Sequence, residues 1–244
     1  MKAVIFSGTT EGRTLSRAVA ALGADVTVCV ATDLGAEEQG RAPGITVRAG
    51  RLDAGEMTAL LQGAALCVDA THPYATEATR NIRAAATAAG VAYHRLLRPA
   101  SDLPAGSVVL ETAAQAAAYL AAKPGNVLLA TGAKELPVFA ALDPARLYPR
   151  VLPTLAGITA CEAAGIPHRN IIAMQGPFTL ELNVALLRQF AIAAMVTKDG
   201  GAAGGFAEKA EAAARCGVQL IVLRRPEEQG ENAETILQRC RELL

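Results

Sequence analysis

No stretch of this 244-residue chain approaches the ~20 consecutive apolar residues that a membrane-spanning helix needs. Only one lysine and a very short apolar run precede the first glycine loop, so no secretory leader is expected. An excess of either charge is also lacking. Lys plus Arg equals Asp plus Glu at 23 each, which excludes the broad basic footprint of a nucleic-acid or anionic-membrane binder. A local cluster of Arg and Lys around an acidic small molecule is compatible with that balance. The five cysteines, Cys29, Cys67, Cys161, Cys216 and Cys240, are scattered, odd in number and without a C-x-x-C pair. They point to a reduced, cytoplasmic protein, with Cys29 and Cys67 inside strands. His72, His94 and His168 are too dispersed to suggest a metal site, and none is expected. There is no short solenoid-like repeat.

Apolar material, by contrast, is plentiful. Hydrophobic residues make up 52% and charged residues 19%, which suits a packed core and argues against disorder. At roughly 100–200 residues per domain, the length allows one large domain or two small ones. Apolar runs alternate with helical periods from end to end. Strands are expected at Ala3–Phe6, Val26–Val30, Leu66–Asp69, Ala92–Leu97, Val108–Leu110, Val127–Ala130, Leu147–Leu152, Ile171–Met174, Ala194–Thr197 and Leu220–Leu223. Asp53 with Glu56 and Thr112 with Gln115 read as capping boxes, Thr179 as an N-cap, and Pro73 as a first-turn residue. A last helix is expected over 233–244, capped by Asn232. The pattern breaks between Pro99 and Gly106, which places a boundary there. The expected architecture is α/β, with two Rossmann-like parallel-sheet domains, 1–100 and 101–244, and a cleft between them.

Five polar clusters each follow a strand directly. They are Gly8-Thr9-Thr10-Glu11-Gly12-Arg13, Asp69-Ala70-Thr71-His72-Pro73-Tyr74, Thr131-Gly132-Ala133-Lys134, Gln175-Gly176-Pro177-Phe178-Thr179 and Thr197-Lys198-Asp199-Gly200-Gly201. Ligands of open α/β sheets sit outside the carboxyl ends of the strands, so these loops are the candidate site. In the first, strand, glycine loop and helix N-terminus form the layout that receives a phosphate, although Gly8 and Gly12 do not complete G-x-G-x-x-G. Each cluster also has a plain structural reading as a turn or cap. Lys198-Asp199 beside Gly200, Gly201, Gly204 and Gly205 fits close approach of a ligand better than a turn alone.

Taken together, these five clusters resemble the precorrin-6A reductases of cobalamin (vitamin B12) biosynthesis, in their aerobic and cobalt-containing anaerobic forms. The similarity runs over nearly the whole chain. It implies NADPH-dependent reduction of one double bond in a polycarboxylate corrin precursor, precorrin-6A or cobalt-precorrin-6A, to the 6B form. It further implies that Gly8, Thr9, Thr10, Glu11, Gly12, Arg13, Thr71, His72 and Tyr74 hold the cofactor. Thr131, Gly132, Lys134, Gln175, Gly176, Thr197, Gly200 and Gly201 would then bind substrate from the second half.

A hydride acceptor must also gain a proton, for which Asp199 and Lys198 are the candidates, an orienting role being the alternative. Arg13, Arg80, Lys134, Arg150 and Lys198 are candidate partners of the substrate carboxylates. Asp33 stands about 20 residues past Gly12, where an acid favours NAD over NADP. The expectation is that it lies beyond the strand end, with Thr32 nearer the ribose and Arg13 or Arg41 available to the 2′-phosphate. Other enzymes of the pathway are candidate partners. The competing readings are a reductase of another polycarboxylate and a sensor that binds NADPH without turnover.

Overall fold

The computed structural model describes residues 1–97, 101–201 and 204–244. Strands buried on both faces must be apolar throughout, and this is how the parallel sheets of the chain are built. In β1 (Lys2–Phe6) Ala3, Val4 and Ile5 are fully buried. β2 (Asp25–Val30) and β4 (Leu66–Asp69) flank it in parallel register. β3 (Ile45–Ala49) and β5 (Tyr93–Arg95) form the edges, so the first sheet runs β3-β2-β1-β4-β5. Alternate residues feed two cores. Ala3 and Ile5 share one with Leu15 and Val19 of helix α1 (Thr10–Ala21). Val4 and Phe6 share the other with Met57 and Leu61 of α3 (Ala54–Leu61) and Ile82 of α4 (Thr76–Ala89).

The second sheet is six-stranded and parallel, in the order β6-β11-β10-β7-β8-β9. Its strands are β6 (Val108–Leu110), β7 (Asn126–Ala130), β8 (Leu147–Val151), β9 (Ile172–Ala173), β10 (Ile192–Lys198) and β11 (Gln219–Leu223). Helices α5 (Ala113–Ala121) and α6 (Leu155–Ala163) cover one face; α7 (Leu180–Gln189) and α8 (Phe206–Cys216) cover the other.

Both expected capping boxes are present, as are the Thr179 and Asn232 caps. Pro73 differs: it sits in a turn ahead of α4, which starts only at Thr76. Two elements lacked a clear sequence signal, β3 and the seven-residue helix α2 (Asp33–Gln39). β3 is an edge strand without a fully buried residue, so its apolar pattern is weak.

The chain divides into two compact units, Met1–Arg98 with Pro226–Leu244, and Pro99–Arg225. The first crossing falls between residues 98 and 99; Pro99, where the expected boundary begins, lies outside the described residues. The expected second domain of 101–244 is corrected at its end, because residues 226–244 rejoin the first unit. Burial and pairing both cause this. Helix α9 (Ala233–Glu242) places Ile236 and Cys240, fully buried, in the core beside α1. Ahead of it, Glu231 makes a parallel bridge to Leu96, and Arg95 binds Glu228 at 2.9 Å. A Cβ at Gly230 would lie 2.4 Å from the Arg95 carbonyl, so this close approach needs glycine. Among the described residues, no helix is long and apolar enough to cross a membrane.

Candidate functional site

Each sheet has one point at which the strand order reverses, and the polar clusters gather there. In the first unit the reversal lies between β1 and β4, whose loops are Ser7–Gly12 and Ala70–Tyr74. The Thr9 hydroxyl stitches these loops together. It donates to the Ala70 carbonyl at 2.9 Å and accepts the Gly12 N–H at 3.0 Å as the cap of α1. A Cβ at Gly12 would fall 2.5 Å from Ser7 Oγ and 2.9 Å from Ala70 Cβ, so only glycine lets the helix pass this close to both strand ends. Gly8, at φ +120°, has open space on the side where a Cβ would stand. Thr10 is the exposed first residue of α1.

The Asp69 carboxylate organises the second loop from a fully buried position. Its Oδ1 accepts the Thr71 N–H at 3.0 Å, the Thr71 hydroxyl at 2.7 Å and Arg95 Nη1 at 3.0 Å. Its Oδ2 accepts the Tyr93 hydroxyl at 3.0 Å. Thr71 is thereby fixed, while His72 is exposed with its ring centroid 5.5 Å from that of Tyr74. Arg13 is partly engaged elsewhere. Its Nη1 donates to the Glu38 carbonyl at 2.8 Å, and Arg17 caps Gln39 in the same way, so the two arginines tie α1 to the carboxyl end of α2. β2 ends at Val30, Thr32 caps α2, and Asp33 is that helix's exposed first residue.

In the second unit the reversal lies between β7 and β10, and the loops there are Thr131–Lys134 and Lys198–Gly205. Thr131 is buried and its Oγ1 has no hydrogen-bond partner. Gly132 takes φ +83°, and Lys134 is exposed. Lys198 Nζ pairs with Glu135 at 3.0 Å, which joins the two loops. Thr197 is fully buried, and its hydroxyl donates to the Lys198 carbonyl. Asp199, 5% exposed, uses both oxygens as acceptors: Oδ1 from the Gly201 N–H and Oδ2 from the Ser101 N–H, each at 3.1 Å. Gly201 takes φ +67°, and a Cβ on Gly200 would stand 3.3 Å from Gly204 Cα.

The Gln175–Phe178 loop follows β9, away from the reversal, yet it returns to it. The position of a Cβ on Gly205 is 3.6 Å from Pro177 Cβ. The Arg150 guanidinium, at the carboxyl end of β8, lies 4.1 Å from the Phe178 ring centroid and donates to Asn183 Oδ1 at 2.8 Å. Burial lowers the Arg150 pKa to about 10, still cationic near neutrality. Arg80 stands on α4 and is exposed.

One buried charged side chain escaped sequence reasoning. Lys209, in the first turns of α8, is only 8% exposed, and its side chain makes no hydrogen bond or ion pair among the described residues. Its signal was available: it falls on the stripe of Phe206, Ala210 and Ala213, where a lysine interrupts an apolar face. Burial first, then the charge of Arg150, pushes its pKa down to about 8, against the opposing pull of Asp199 and Glu208.

The family model for the precorrin-6x reductases CbiJ/CobK matches residues 2–241. The chain belongs to that family. Its relatives include the cobalt-precorrin-6A reductase of Priestia megaterium, 38% identical over 91% of this chain and 90% of the relative. That of Methanothermobacter thermautotrophicus is 35% identical over 93% and 77%. A solved precorrin-6A reductase, CobK, superposes with a TM-score of 0.81 at 25% identity, covering 99% of this chain and 97% of its own.

A reductase of this family implies a nicotinamide cofactor, and the first unit fits one. Gly12 admits no side chain, Gly8 opens its backbone to a ligand, and buried Ser7 Oγ has no hydrogen-bond partner. With the amino end of α1, these are the features that a pyrophosphate needs.

Proposed function

We propose that this protein reduces precorrin-6A or cobalt-precorrin-6A to the corresponding 6B form with NADPH, in the cytoplasm. The observation that carries the reading is positional. Four of the five polar clusters border the two strand-order reversals, where open parallel sheets take their ligands. The bound nicotinamide supplies the hydride. In this reading Gly8, Thr9, Thr10, Glu11, Gly12 and Arg13 receive the dinucleotide phosphates, with Thr71, His72 and Tyr74 alongside. Thr32 and Arg41 take the side of the 2′-phosphate, with Asp33 past the end of β2 in the first turn of α2.

The second unit takes the macrocycle. Thr131, Gly132, Lys134, Gln175, Gly176, Thr197, Gly200 and Gly201 shape its surface, and Arg150 and Lys134 offer cations to its carboxylates. Lys198 and Asp199 act as orienting groups. An ion pair with Glu135 holds the first, and two backbone N–H groups donate to the second. All five cysteines are free, in keeping with a reducing compartment.

The test is anaerobic incubation of the protein with NADPH and either substrate form, followed by mass spectrometry. The expected product is heavier by two hydrogens, with NADH a poorer donor than NADPH. Unchanged substrate with both forms would leave a different polycarboxylate, or a sensor role, as the better account.

A further inference from the structure

Reduction of a carbon–carbon double bond by hydride leaves the second carbon in need of a proton, and a buried site must supply it from a group that holds one at working pH. Of the ionisable groups at the β7–β10 reversal, Asp199 already accepts on both oxygens and Lys198 is paired. Lys209 is different. As a residue it is only 8% exposed, its side chain makes no hydrogen bond or ion pair among the described residues, and it stands in the first turns of α8, whose N-cap Gly205 supplies no side-chain cap. Holding a lysine in so buried a position without a hydrogen-bonded partner is costly, so its retention points to a role in the bound state.

We propose that Lys209 is the acid that protonates the substrate carbon opposite the one that takes the hydride, an assignment that rests on the reductase reading above. The Nζ–H bond breaks and a C–H bond forms with the electron pair of the reduced double bond. The reducing equivalent is the hydride of the nicotinamide cofactor. The neutral amine then regains its proton from water. A pKa lowered to about 8 suits this work, since the ammonium is then filled at neutrality yet releases its proton far more readily than an ordinary lysine. The charged groups that face it are Arg150 from β8, Asp199 beyond β10 and Glu208 on its own helix. On the packed helix α7 the buried polar residue is the neutral Asn183, and β11 carries no charged residue.

The alternative is that Lys209 only attracts a carboxylate, and Lys209→Arg separates the two. Arginine keeps the charge but does not release a proton near neutrality. The proposal expects the single-turnover rate of reduction to fall by about 100-fold or more in this variant, with substrate KM changed by less than about threefold. An arginine variant that reduces at the wild-type rate, or loses only affinity, overturns it. A second readout needs no variant. The wild-type single-turnover rate should fall as pH rises through about 8, as the ammonium empties. A rate that stays level to pH 10 also overturns the proposal. Failure of the wild-type protein to reduce either substrate form would instead sink the reductase reading itself.

Discussion

At the scale of single residues, Lys209 carries a measurable stability cost. Its pKa is about 8 in the folded protein against an ordinary 10.5, so the unfolded chain binds more protons between those values. The cost is therefore present in full below pH 8 and is relieved as pH rises toward 10.5. Lys209→Met should raise the unfolding free energy at pH 7 by roughly 2–3 kcal/mol, and the gain should vanish above about pH 10.5. Urea unfolding across a pH series measures this. A methionine variant less stable than wild type at pH 7 would mean that the ammonium has a structural partner. Sequence reading passed over this lysine because a charge within an alanine-rich helix is usually solvated. Only the packing of α8 against α7 and the sheet reveals that it is buried.

At the scale of elements, the segment between β11 and α9 depends on Arg95. Its guanidinium is 2% exposed and joins Asp69 on β4, the Thr71 carbonyl and Glu228. Arg95→Met would leave Asp69 buried without its cation. Removing one partner of such a buried pair costs about 3–5 kcal/mol. Thermal unfolding should show that loss, together with faster amide exchange at Thr71 and Glu231. A variant as stable as wild type would mean that the Tyr93 and Thr71 hydrogen bonds suffice for Asp69. Strands with continuous apolar runs, and helices with complete capping boxes, were legible from residues alone. β3 and α2 were not, because an edge strand buries little and a seven-residue helix shows barely two turns of pattern. Arg13 was assigned to a phosphate from its place in the loop, but its bond to the Glu38 carbonyl depends on where α2 ends.

At the scale of the molecule, each unit is a parallel sheet with one reversal of strand order, and each reversal is bordered by glycine-bearing loops. The loops could be found in the sequence because every one follows an apolar strand. Their grouping into pairs could not, since strand order depends on pairings far apart in the chain. The return of residues 226–244 to the first unit was hidden for the same reason. Asn232 and the helix after it read correctly as an element, yet nothing local says which core Ile236 enters.

The central claim is that a nicotinamide hydride passes to a corrin precursor on this chain. It is tested most directly with NADPH carrying deuterium at both positions of the nicotinamide C4, in ordinary water, with precorrin-6A or its cobalt form as acceptor. The account predicts a reduced product bearing one deuterium from the cofactor, its second new hydrogen coming from the protein and ultimately from water. A reduced product without cofactor deuterium, or no reduced product with either form, would contradict it.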